Sequence, residues 1–213
     1  MVTTSKRFSI GLLFYRYRGW SLVPLLAIGL LVNTRFLPAN SGNFMMVLGA
    51  IGILFGSLLR IVCSTFISHK EMHDPLHVKQ LIVDGPYAIS RNPGYLGEGA
   101  IALGIAMMSR MPWFILTTLV AGLIIVAVVI DWEEKMLSMR FGKIYDNYCR
   151  TVPRWFSWGR LVHPDSYLKT KGRIKFLTAI RAESGTLLIA LLSILAFIAK
   201  ADLEIYLFEH IFP

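Results

Sequence analysis

Long apolar runs, four or five of them spread over 213 residues, constrain this chain more than any other feature. The hydrocarbon core of a bilayer is about 30 Å thick and takes roughly 20 helical residues to cross, so each run is read as a candidate span. The first runs from Trp20 to Leu37, too long and too far from the start for a cleaved leader. The second, Phe44 to Ile67, holds a single charge, Arg60, near its end, where a long side chain reaches the interface. A third, Gly94 to Ser109, is short and glycine-rich, and a tight Arg110-Met111-Pro112 connection leads into a fourth, Trp113 to Ile130. These two form a helical hairpin. A fifth, Ser184 to Ala199, is barely long enough. With 55% hydrophobic and 16% charged residues, the chain has more apolar surface than one soluble core hides. The expected fold is all-α: a polytopic helical membrane protein with about five transmembrane helices and a cofactor pocket at the cytoplasmic face.

Orientation follows from the basic residues that flank the runs, because cytoplasmic segments retain Lys and Arg. Lys6, Arg7, Arg16 and Arg18 precede the first run, Lys70, Lys79 and Arg91 follow the second, and Lys135, Arg140, Lys143, Arg150, Arg154 and Arg160 follow the fourth. All fall on one side, which places the amino terminus in the cytoplasm. The other side receives Arg35, Arg110 and Lys200. A net charge of +9 raises nucleic acid as a partner. The basic residues flank apolar runs instead of forming a domain of their own, so membrane lipid headgroups are the expected contact and no nucleic acid is expected. Cys63 lies in a run and Cys149 in a cytoplasmic segment, which gives no disulfide framework.

The chain reads as a single membrane-embedded domain over 1–213. Its motif-bearing core is 67–156, and 157–213 make an interfacial connector and a possible extra span. Two cytoplasmic segments carry chemistry. In the first, Asp84, Gly85 and Pro86 make a turn, and Arg91, Asn92 and Pro93 sit where the third run begins, with free backbone N–H groups open to a ligand. Gly94, Gly97 and Gly99 admit either a neighbouring helix or a flat ligand. The second segment starts at Asp131, Glu133 and Glu134, whose charges oppose the helix dipole and call for compensation. A bound ligand supplies it, or pairing with Lys135 or Arg91 does. Trp132, Met136, Met139 and Tyr145 continue at helical spacing, interrupted at Gly142, as in a helix that leaves the membrane and lies along its surface.

This pair of segments resembles the isoprenylcysteine carboxyl methyltransferase family and its phospholipid methyltransferase relatives. The family signature G-x-Y-x-x-x-R-[HN]-P-x-Y-x-G is matched by Gly85, Tyr87, Arg91, Asn92, Pro93, Tyr95 and Gly97. After the hairpin, Glu133, Glu134, Phe141, Gly142, Tyr145, Tyr148, Val152, Pro153 and Arg154 match its second block. The resemblance covers Lys79 to Trp155. It implies methyl transfer from S-adenosyl-L-methionine to a lipophilic small molecule or lipidated substrate. The cofactor pocket it implies uses Lys79, Gln80, Leu81, Ile82, Tyr87, Asn92, Pro93, Gly94, Tyr95 and Glu133, with Arg91 and Glu134 as candidate catalytic residues and no metal. An ionised carboxylate acceptor needs no base, whereas an amine or thiol must lose a proton. That favours carboxyl O-methylation of an isoprenylcysteine-like substrate, with phospholipid N-methylation and methylation of a small thiol or acid as alternatives. A non-enzymatic structural or transport role is a further one. Four residues before the cofactor-binding glutamate, where carboxyl methyltransferases carry a substrate-meeting arginine, this chain has Val129. His69, His73 and His77 are spaced like the histidine boxes of membrane di-iron enzymes, but five histidines are too few and Pro75 breaks the helix.

Overall fold

The computed structural model of the chain describes residues 13, 22–32, 39–67, 80–156, 159 and 176–211. Among them every regular element is helical: α1 (Leu22–Leu31), α2 (Ala39–Phe66), α3 (Pro93–Met108), α4 (Pro112–Phe141), α5 (Lys143–Thr151), α6 (Phe176–Ala182) and α7 (Ser184–Ile211), with a 3-10 turn at Gly85–Ala88. Among the described residues three helices are long and apolar enough to cross a membrane: α2 over Gly42–Phe66, α4, and α7 over Ser184–Glu204. About five spans were expected; among the described residues three helices have the length to cross, and α1 and α3 are shorter. At 1.5 Å per residue the 16 residues of α3 extend about 24 Å. Only 10 residues of the first run are described as helix.

The fifth run is longer than expected. Lys200 and Glu204 end the apolar stretch without ending the helix, because both are paired. Lys200 Nζ donates to the carbonyls of Gly29 (3.1 Å) and Val32 (2.9 Å), which satisfies the carboxyl end of α1. Glu204 lies 4.0 Å from Arg110.

Glycine sets the distance between α2 and α3. A Cβ on Gly104 would meet the carbonyl oxygen of Gly49 at 2.5 Å, and one on Gly97 would meet that of Gly56 at 2.9 Å. The two backbones therefore touch, as small residues allow where lipid supplies no hydrophobic drive for association. Leu22, Ile53, Ile101, Ile105, Ala190 and Phe197 fill the space where α1, α2, α3 and α7 meet. Leu54 and Leu58 on α2, Leu123 and Ile124 on α4 and Leu191 and Leu195 on α7 point outward as a lipid-facing surface. Arg110, at φ 59°, turns the chain from α3 into α4, so the expected hairpin forms. One end of the bundle then collects the end of α2, the start of α3, the carboxyl-terminal end of α4, and α5, α6 and the start of α7.

Candidate functional site

The first motif is held against the end of α2. Gly85 has φ +63°, and the ring of Phe66 occupies the place a Cβ would take, so only glycine fits this turn. The chain then coils through Tyr87 and reaches Ser90, whose hydroxyl accepts from the Asn92 N–H (3.1 Å) and donates to the Arg154 carbonyl (3.3 Å). Asn92 caps α3 with Pro93 at its first turn. Its side-chain amide donates to the Arg154 carbonyl at 3.1 Å and to Glu134 Oε1 at 3.4 Å.

The second motif comes back over the first. Gly142, at φ +51°, turns the end of α4 into α5. Tyr145, Tyr148 and Val152 are buried against Leu81 and Leu137. Tyr148 donates to the Tyr87 carbonyl (2.6 Å), and the Arg91 N–H donates to the Pro153 carbonyl (3.0 Å). Burial, reinforced by the Glu134 charge and by Cys149, pushes the Tyr145 phenol well above its ordinary range, so it keeps its proton at neutral pH.

Helical rotation separates the two glutamates. Glu133 accepts from the Tyr95 hydroxyl at 2.8 Å. Glu134 turns toward the arginines: Arg154 Nη2 lies 2.7 Å from its Oε2 and Arg91 Nη1 3.4 Å from its Oε1. Arg154 also reaches Asp131 at 2.9 Å. The protein's own arginines thus compensate the acidic stretch at Asp131 and Glu134. The hydrogen bond it donates to Glu134 in turn holds the Arg154 guanidinium's pKa above its usual value.

Between the segments lies a cavity of about 130 Å³, where one water needs roughly 10–15 Å³. Of the residues expected to hold a cofactor, Leu81, Ile82 and Tyr87 line it, as do Asn92, Gly94, Tyr95 and Glu133. Arg91 lines it too, with its Nη1 on Cys149 Sγ at 2.7 Å and its buried Nε lacking a hydrogen-bond partner. Gly94 has open space where a Cβ would stand, whereas Gly97 is used in helix packing. Pro93 is buried in the first turn of α3 and Gln80 is exposed, and neither lines the cavity. Glu134 stands outside the lining, behind Arg91. Lys79 lies outside the described residues, as do His69, His73 and His77. Among the described residues no group of three or more His, Cys, Asp or Glu is arranged to hold a metal.

The inner wall holds residues that sequence reasoning missed. Arg60 does not run out to the interface. It is turned inward, with Nε 2.8 Å from Glu183 Oε2 and Nη1 3.2 Å from Glu98 Oε2. Ser64 donates to Glu183 Oε1 at 2.7 Å. Arg60, Ser64, Glu98 and Glu183 all line the cavity. Glu183, at the junction of α6 and α7, is only 2% exposed. Burial alone would raise its pKa, but the Arg60 charge and the hydrogen bonds from Arg60, Ser64 and Thr186 outweigh that and hold it below the usual 4.5. The available signal was a charge inside an apolar run at Arg60 and another in a glycine-rich one at Glu98, with no local cue that the two meet.

A family model described as phospholipid methyltransferase matches residues 38–144, about half of the chain and the stretch from α2 through α4. Among curated proteins, the nickel-cobalt-cadmium resistance protein NccN of Alcaligenes xylosoxydans xylosoxydans is 24% identical over 112 residues, which cover 53% of this chain and 49% of the relative. The cobalt-zinc-cadmium resistance protein CzcN of Cupriavidus metallidurans shows the same identity over the same shares. The chain spans about half the length of the curated relatives it matches. No solved structure matches it.

Proposed function

We propose, from the premise that this chain belongs to the phospholipid methyltransferase family, that it is a membrane-embedded enzyme that methylates a lipophilic, membrane-borne acceptor from S-adenosylmethionine. The observation that carries this reading is the cavity where the family's two segments meet, with the Tyr95–Glu133 hydrogen bond on its wall. The lining suits such a cofactor. The start of α3 and Arg91 suit its carboxylate, the Tyr87 ring its adenine, and Glu133 its ribose hydroxyls or ammonium. Gly94 leaves the room a close ligand needs.

Bound there, the cofactor would supply an electrophilic methyl carbon: a lone pair on the acceptor bonds to it as the carbon–sulfur bond breaks, and that electron pair stays on sulfur. What the protein adds is alignment and exclusion of water. Tyr95 fixes the Glu133 carboxylate. Glu134 and Cys149 fix Arg91, so Glu134 is a positioning residue in this reading. Tyr148 and the Arg91 backbone bond to Pro153 keep α5 and its following turn closed over the first motif. The acceptor enters from the bilayer, and the cofactor from the cytoplasm.

Two acceptor chemistries remain in play, a carboxylate such as that of a prenylated cysteine and the amine of a phospholipid. Val129, 1% exposed and packed on Trp132 and Tyr95, offers no counter-charge at the position where carboxyl methyltransferases carry an arginine. The test is direct. Purified protein in lipid nanodiscs is incubated with methyl-labelled cofactor and either a prenylcysteine analogue or total membrane lipid, and the labelled product is identified. Binding of S-adenosylhomocysteine should raise the melting temperature of the wild type. Glu133→Ala and Tyr87→Ala should remove that rise while inserting normally. No rise in the wild type at saturating ligand overturns the reading.

A further inference from the structure

The cavity wall changes character along α3. Tyr95, bonded to Glu133, lies one helical turn before Glu98, bonded to Arg60. One turn advances about 5 Å along the axis. The step from Tyr95 to Glu98 leads away from the start of α3 and toward the bilayer interior, so the Arg60 network forms the deeper wall. It is assembled from three places far apart in sequence: α2, α3 and the α6–α7 junction. The last lies beyond the family-matched 38–144.

Stability does not account for charges in this position. A buried ion pair loses about as much on leaving water as it regains in attraction, and apolar residues of the same volume pack as well or better. Here Arg60 and Glu183 also sit on the wall of a cavity, where a ligand can meet them.

We infer that this deeper wall is the acceptor subsite, with Arg60 meeting the polar head of the lipophilic acceptor and Glu183 acting as the positioning residue that orients Arg60. The inference rests on the methyltransferase reading above. Glu183 grips Arg60 Nε, and Ser64 immobilises its other oxygen, so the guanidinium has one orientation set by a helix junction outside the family-matched stretch. Acceptor choice is thereby separated from cofactor binding: the mouth, at Tyr87, Asn92, Tyr95 and Glu133, serves the donor, and the C-terminal helices tune the acceptor.

The test uses the full chain in nanodiscs, with total membrane lipid as the acceptor probe and labelled cofactor. Glu183→Gln keeps the shape and removes the charge that orients Arg60. The expected result is an apparent KM for the lipid fraction raised tenfold or more, with affinity for S-adenosylhomocysteine within twofold of wild type, and partial recovery in Glu183→Asp. Ser64→Ala removes one hydrogen bond to Glu183 without stranding a charge, and should raise the same KM about threefold should Glu183→Gln fail to fold. Unchanged lipid kinetics in a folded variant, or a parallel loss of cofactor affinity, overturns the assignment. A wild type that binds no S-adenosylhomocysteine instead overturns the methyltransferase reading itself.

Discussion

Adjacent residues on a helix point about 100° apart, and Glu133 and Glu134 show what that does to chemistry. One reaches Tyr95 on the cavity wall and the other is clasped by Arg154 and Arg91 behind it. Tyr95→Phe keeps the ring and frees Glu133. Cofactor affinity should then fall roughly tenfold, about the worth of one charge-assisted hydrogen bond, read as a smaller S-adenosylhomocysteine-induced rise in melting temperature. An unchanged rise would show that Glu133 needs no fixing. Glu183 makes a prediction about pH. Its folded pKa lies below 4.5, chiefly because Arg60 and three hydrogen bonds outweigh the burial that opposes them. As pH falls, the unfolded chain binds the proton first, so the stability this carboxylate contributes is full above about 4.5 and is lost as pH drops through the folded value. Melting temperature measured from pH 7 to pH 3 should decline less steeply below 4.5 in Glu183→Gln than in wild type. The family's two segments named Tyr87, Asn92, Tyr95 and Glu133 together although Tyr95 and Glu133 are 38 residues apart, and all four line the cavity. Arg60 and Glu183 were not legible, because they are 123 residues apart and a lone arginine near the end of an apolar run looks like one that reaches for headgroups.

At the scale of the helix, length and polarity were readable where one helix satisfies itself and unreadable where it depends on a neighbour. The second and fourth runs became α2 and α4 within a few residues at the membrane-embedded ends. The last helix ran past its apolar stretch because Lys200 and Glu204 find partners on α1 and in the α3–α4 turn, which no local pattern encodes. Glycine shows the same division. Gly94, Gly97 and Gly99 read alike in sequence, yet Gly97 touches α2 while Gly94 and Gly99 touch nothing within 4 Å at the Cβ position. Gly104 belongs with Gly97. Gly104→Ala should push α3 from α2 and cost about 1–3 kcal/mol, as overpacking does. Gly99→Ala meets no obstacle and should leave stability the same or slightly higher, since alanine favours the helix. Thermal unfolding of both variants in the same detergent checks this. Equal losses, or none in Gly104→Ala, would mean that the backbones are not in contact.

For the whole molecule, the question is which way the bundle faces. Along α4 and its continuation, Lys135, Arg140, Lys143, Arg150 and Arg154 gather at the end that holds the cavity. At the opposite end Arg110 and Lys200 are tied to Glu204 and to the carbonyls of Gly29 and Val32, so their charges are neutralised or capped within the bundle. Under the proposed function, retention of basic residues in the cytoplasm would place the cavity on that side, where a soluble cofactor would reach it. Because α7 starts beside Arg60 and runs to the far end, a reporter joined after Phe156 and one joined after Glu204 belong on opposite sides. In a bacterial host, a reporter that fluoresces only in the cytoplasm should be bright at Phe156 and dark at Glu204, and a phosphatase active only outside should show the reverse. Brightness at both would lay α7 along the membrane instead of across it, and Glu183 would then have to reach the cavity from a helix that never leaves the cytoplasmic surface, which its burial against Arg60 and Ser64 does not allow.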